Sequence, residues 1–190
     1  LFLLAYFSFA ILDTIQKTAV QYHSVFQLLL IKYIFCLIFS LIIAKINKKK
    51  KIYLSNNFKI QILRCILSVC EACFFVLSFR YLSLANVHTI GSLAPVLMLA
   101  FSYFILKEKI SLISWIAIFV SFLGVIIIMR PGSSIFNPYL ILPLAAAFFY
   151  SLFQVITRLN SKFDENETML FYNGLIGTII MLIFSIFFWQ

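Results

Sequence analysis

Apolar residues recur along the chain in seven long runs, at 1–18, 26–44, 60–80, 85–106, 112–129, 139–158 and 168–189. Each run approaches or exceeds the roughly twenty residues that a helix needs to cross a bilayer. The breaks between them carry charge or turn-forming residues: 21–24, the lysine-rich 45–51, 83–85, Lys107 to Lys109, Arg130 to Gly132, and 160–167. None is long enough to hold a soluble domain. The pattern predicts an all-α integral membrane protein built as a transmembrane helix bundle.

Polar residues inside these runs are costly in hydrocarbon and usually face a protein interior or a wet path. Glu71 sits near the middle of the third run, Ile60 to Phe79. Arg64, Ser68, Glu71 and Ser78 follow one another by four, three and seven residues, which puts them on one helical face. A cavity-facing stripe is expected there. The alternative is a protonated Glu71 carboxyl hydrogen-bonded inside the bundle, with Arg64 reaching for headgroups. In the fourth run His88, Ser92 and Pro95 are spaced by four and three. Pro95 has no N–H to offer the carbonyl of Gly91, so a break or kink is expected, either as plain structure or as part of a binding site. Asp13 and Lys17, four apart on the first run, could neutralise each other. Lys32 lies about two turns inside the second run, where it could attract an anionic group or snorkel. Gly174 and Gly177 are expected to permit close helix packing.

Composition agrees with the pattern. Of 190 residues 64% are hydrophobic and 11% charged, and the mean hydropathy is +1.08. Soluble domains are about half apolar and a quarter charged. The net charge of +9 gathers at the lysine-rich loop after the second run, the usual cytoplasmic flank of a membrane helix. It implies lipid headgroups, and no nucleic acid, as its neighbour. The loops at Lys107 to Lys109 and Arg158 to Lys162 fall on the same side, so the amino terminus is expected in the cytoplasm. Cys70 and Cys73 form a CxxC, but within a membrane helix they read as packing residues. No metal site or cofactor is expected.

The first two runs have an echo. From Asp13 to Gln154, a shift of 141 residues, Asp13 to Lys17 falls on Gln154 to Arg158, and Lys32 falls on Asn173. Five helices separate the copies, and an odd number inverts the second copy, as in secondary transporters. Residues 1–132 are therefore read as a first five-helix repeat. Residues 137–190 are read as the start of a second, with two of its helices present, giving seven of an expected ten. Asp13 is replaced by Gln154 in the copy, so symmetry does not require it.

Several stretches resemble the EamA-type members of the drug/metabolite transporter superfamily. They are Arg80 to Pro95 (RYLSLANVHTIGSLAP), Leu106 to Lys109, Gly124 to Gly132 and Tyr150 to Arg158. Lys107 stands where the family usually has a glycine before its glutamate, here Glu108, and Glu71 is not part of the family pattern. The resemblance implies a multi-pass carrier of the cell (plasma or inner) membrane. It would move a small organic metabolite by alternating access, with coupling to a proton or cation as one option. Expected pathway residues are Glu71, Asp13, Arg64, Lys32, His88, Ser68, Ser92, Pro95 and Gln154. No phosphate loop, GxSxG or HExxH occurs, so an enzyme is not expected. The competing reading is a non-transporting membrane sensor or assembly subunit. The acid-rich 164–167 reads as a solvated connection.

Overall fold

The computed structural model describes residues 2–47, 52–109, 111–129 and 137–188. Residues 48–51 of the lysine run and Arg130 to Gly132 lie outside the described residues. Among the described residues eight α-helices follow one another: α1 Phe2–Ala19, α2 Val25–Ile46, α3 Phe58–Tyr81, α4 Leu84–Gly91, α5 Ala94–Phe101, α6 Leu112–Met129, α7 Ile141–Asn160 and α8 Asn166–Phe187. Helices α4 and α5, with a π-turn at Ser102–Leu106, make up the expected fourth run as one broken span. Five spans among the described residues are long and apolar enough to cross a membrane: α2, α3, α4 to the π-turn, α7 with the 3-10 turn before it, and α8. The protein is an all-α membrane helix bundle.

Local chemistry sets where the helices begin. Ser24 and Gln27 form a capping box at α2, the Ser24 hydroxyl accepting from Gln27 N–H and the Gln27 carboxamide accepting from Ser24 N–H, each at 3.3 Å. Asn57 and Ser83 cap α3 and α4 through their side-chain oxygens. The break between α4 and α5 falls at Ser92 and Leu93, and Pro95 lies in the first turn of α5, where its missing N–H removes no helical bond. The carbonyl of Ala94 is held by the Ser151 hydroxyl of α7 at 2.8 Å.

Helix α3 lies at the centre, packed along α7 and against α8, while α2 packs along α8. The core centres on Leu29, Tyr33, Val76, Phe79, Val87 and Ile90. Two glycines allow the α2–α8 approach. A Cβ on Gly174 would stand 2.7 Å from Leu37 Cα, and one on Gly177 would stand 2.3 Å from Tyr33 Cδ1. The expected packing role of both is met. Helices α1 and α6 attach through fewer neighbours, and α6 turns Leu112, Ile113, Ile116 and Phe119 outward, as suits a lipid-facing wall.

The loops at the end of the bundle carrying the α2–α3 and α7–α8 connections depart from expectation. Residues 164–167 are not simply a solvated connection. Asp164 is buried, accepting from the Ser55 hydroxyl at 2.5 Å, from Asn56 N–H at 2.7 Å and from the Asn160 amide at 3.4 Å. The Asn56 amide donates to Phe163 O at 2.6 Å, and Asn47 donates to Glu167 at 2.8 Å. An exposed carboxylate would gain little here. Burial beside backbone N–H and hydroxyl donors makes Asp164 a fastener between the two loops.

Candidate functional site

Four consecutive helices each bring one ionisable side chain to a single cavity of about 500 Å³: Asp13 from α1, Lys32 from α2, Glu71 from α3 and His88 from α4. On α1 the lining positions Phe9, Leu12, Asp13 and Gln16 are separated by three, one and three residues, a single helical face. On α3 the lining residues Glu71, Ala72, Phe75 and Val76 likewise share a face. Apolar walls and convergent polar groups in a space this size are the ordinary make-up of a small-molecule pocket. The cavity lies in the half of the bundle that carries the α1–α2 and α3–α4 turns.

Its charges are arranged unevenly. Asp13 is largely shielded and its Oδ2 lies 3.2 Å from Nε2 of the half-exposed His88, a full ion pair when the imidazole is protonated. The His88 ring is steadied by Phe75, edge-on with centroids 5.9 Å apart. Glu71 and Lys32 are different: neither has a hydrogen-bond or ion-pair partner among the described residues. Lys32 acts at longer range on both carboxylates, and its Nζ lies 5.7 Å from the centre of the Tyr33 ring.

The expected Asp13–Lys17 pair does not form. Lys17 donates to Leu82 O at 3.0 Å, at the last turn of α3 where unpaired carbonyls concentrate negative potential. Asp13 is thereby left to His88. The stripe predicted on α3 also divides. Arg64, two turns from Glu71, is 3% exposed and donates to Met169 O and, at 3.4 Å, to Gln61. Its guanidinium also stacks 5.6 Å over the Phe153 ring. It neither snorkels nor reaches the cavity, because at its level the neighbours of α3 are α7 and α8. Ser68 is buried, and its carbonyl accepts from the Tyr33 hydroxyl at 3.2 Å. Ser92 is exposed and bonds back to Thr89 O at 2.6 Å, Pro95 is exposed, and Gln154 donates to the Tyr150 hydroxyl at 2.7 Å. The structure thus unites four of the nine candidates at the cavity, namely Asp13, Lys32, Glu71 and His88. It sets Arg64, Ser68, Ser92, Pro95 and Gln154 elsewhere.

A second polar group stands at the opposite end of the bundle, and spacing along single helices did not reveal it. Arg158 of α7 grips Glu108 with two prongs, NH1 to Oε2 at 3.0 Å and NH2 to Oε1 at 2.9 Å, and the Ser102 hydroxyl donates to the same carboxylate. Glu108 follows Lys107, the one non-glycine residue with positive φ among the described residues (φ 56°, ψ 33°). The glycine that the family usually has at this position is the residue that left-handed backbone favours, and Lys107 adopts that backbone here.

Residues 1–130 match the model of the EamA-like transporter family. The chain belongs to that family. Among similar EamA-like and related proteins, a riboflavin transporter of Vibrio cholerae is 33% identical over 85 residues, 45% of this chain and 28% of the relative. An S-adenosylmethionine uptake transporter of Rickettsia prowazekii is 29% identical over 98 residues, 50% of this chain and 32% of the relative. Its namesake in Rickettsia bellii is 30% identical over 116 residues, 57% and 39%. The matched stretches span about a third of those relatives. No solved structure matches the chain. Within this EamA-like chain the glutamate and arginine of the two family-like motifs meet, Glu108 from just past the π-turn and Arg158 from α7.

Proposed function

We propose that this EamA-like chain serves a secondary carrier for a small organic molecule, with the cavity between α1, α2, α3 and α4 as its substrate and ion site. The observation that carries the reading is the convergence of Asp13, Lys32, Glu71 and His88, one from each helix, on a pocket of about 500 Å³. A bundle that needed only to pack would bury no such set, since each charge costs free energy at membrane depth. Family membership supports transport as the use of that cost.

In this reading residues 1–132 form one repeat and residues from 137 onward belong to a second, inverted one. Rocking of the two repeats alternates access to the cavity. The lysine-rich end faces the cytoplasm of a cell membrane, as the positive-inside rule requires. The cavity therefore lies toward the outer face. Glu71 is the coupling group: among the described residues it has no hydrogen-bond or ion-pair partner to hold its charge, and Lys32, Asp13 and His88 are the charges that line the cavity with it. A carboxylate so placed can take up a proton on one side and release it on the other.

Proteoliposomes holding the protein test this with riboflavin and S-adenosylmethionine as trial substrates under an imposed pH gradient. Uptake above equilibrium of at least one, driven by the gradient and lost in Glu71→Gln, is the expected result. Gradient-driven uptake unchanged in Glu71→Gln would remove Glu71 from coupling. Absence of uptake of both trial substrates, with or without a gradient, would count against their transport by this protein.

A further inference from the structure

Glu71 and Lys32 line the same cavity from different helices, carry opposite charges and form no hydrogen bond or ion pair with each other or with any other described residue, Lys32 having only the face of the Tyr33 ring 5.7 Å from its Nζ. Such an arrangement is unusual. Two free opposite charges in a low-dielectric pocket attract strongly, and at 4 Å or closer they would satisfy each other. The cavity's other carboxylate is already engaged, because Asp13 is paired with His88. What is left is one anion and one cation held apart, with Phe9, Leu12, Phe75 and Val76 forming apolar wall around them.

We propose that this cavity binds a zwitterion: a small molecule whose cationic group meets Glu71 and whose carboxylate or other anionic group meets Lys32. Its remaining bulk lies against the apolar wall. The proposal deepens the carrier reading by naming a substrate class, and takes from it only that this cavity is the ligand site. The charge balance excludes the other classes. A pure anion on Lys32 would sit beside two carboxylates, a pure cation near Glu71 would leave Lys32 unmatched, and a neutral ligand would desolvate both charges for nothing. A zwitterion replaces the water on both at once. The arrangement is also available only between helices. Lys32 lies on α2 and Glu71 on α3, so no turn of one helix could bring them together or hold them apart.

The test is equilibrium binding to the full chain in nanodiscs of phosphatidylglycerol, a lipid without a zwitterionic headgroup. Thermal shift reads the binding of each natural amino acid and of S-adenosylmethionine. Methyl esters (cation only), N-acetyl derivatives (anion only) and uncharged riboflavin are the comparators. At least one zwitterion raises the melting temperature, and its ester and N-acetyl forms do not. In Lys32→Gln and in Glu71→Gln the affinity falls about tenfold or more, as loss of a charged hydrogen bond requires. The exchanged pair Lys32→Glu with Glu71→Lys regains part of it, which a merely misfolded variant would not do. A shift by riboflavin or by a singly charged derivative with none by any zwitterion overturns the proposal. So does zwitterion binding unchanged in Lys32→Gln. Zwitterion binding without any uptake in proteoliposomes supports this site and removes the carrier reading. Riboflavin uptake indifferent to Lys32→Gln does the reverse.

Discussion

His88 Nε2 stands 3.2 Å from Asp13 Oδ2, joining the short helix α4 to α1 across the mouth of the cavity. Helix α1 has few other neighbours, so even a pair of modest strength bears on its placement. Asp13→Asn is expected to leave the rest of the bundle intact while raising hydrogen exchange in α1. A double-mutant cycle with His88→Ala should return a coupling of about 1 kcal/mol or less, since His88 is half exposed. A coupling of zero would mean that α1 is held by packing and by the Lys17 bond to Leu82 O without help from this pair.

Lys107 adopts left-handed backbone at φ 56°, which glycine reaches without a Cβ penalty. Lys107→Gly should therefore raise stability by up to about 1 kcal/mol, after allowance for the greater freedom of glycine in the unfolded chain. Lys107→Val should lower it. Thermal melts of the three proteins in one detergent decide the order.

Gly174 touches backbone, so a methyl group there cannot be accommodated by turning a side chain. Gly174→Ala is expected to push α2 from α8 and cost about 1–3 kcal/mol. Cysteine cross-linking between α2 and α8 would report the separation, and an unchanged cross-linking yield would contradict it.

Asp164→Ala removes the acceptor of the Ser55 hydroxyl, Asn56 N–H and the Asn160 amide together. Each donor left dry costs about 1–3 kcal/mol, less wherever water enters. Limited proteolysis should then cut first within residues 52–57. Asp164→Asn, which keeps an acceptor oxygen, should be cut more slowly than the alanine variant.

The helices were legible in the sequence because hydropathy alone dictates membrane spans. The break near Pro95 followed from its missing N–H. The glycine contacts of α8 were legible too, since small residues in membrane helices have few other uses. The site was legible in its members and not in its grouping. Helical spacing placed Arg64 with Glu71, and they do share a face of α3. Which helix covers that face at each level is a tertiary fact, and it gives Arg64 to α7 and α8 while leaving Glu71 to the cavity. The Asp13–Lys17 spacing misled for a similar reason. The carbonyls ending α3 and the imidazole of His88 compete for the two partners, and neither is visible along α1. The buried role of Asp164 was hidden because its two shorter bonds come from Ser55 and Asn56, 109 and 108 residues away in the α2–α3 loop.

Tyr33 and Lys32 are neighbours on one backbone but face different surroundings. The Tyr33 ring is wedged against Gly177 of α8, with its hydroxyl on the Ser68 carbonyl of α3, while Lys32 reaches the cavity. Any sliding or turning of α8 against α2 must first displace that ring. Lys32 of the cavity and Tyr33 of the α2–α8 seam share one peptide unit, so the proposed binding site and the tightest helix contact of the bundle are joined at adjacent residues.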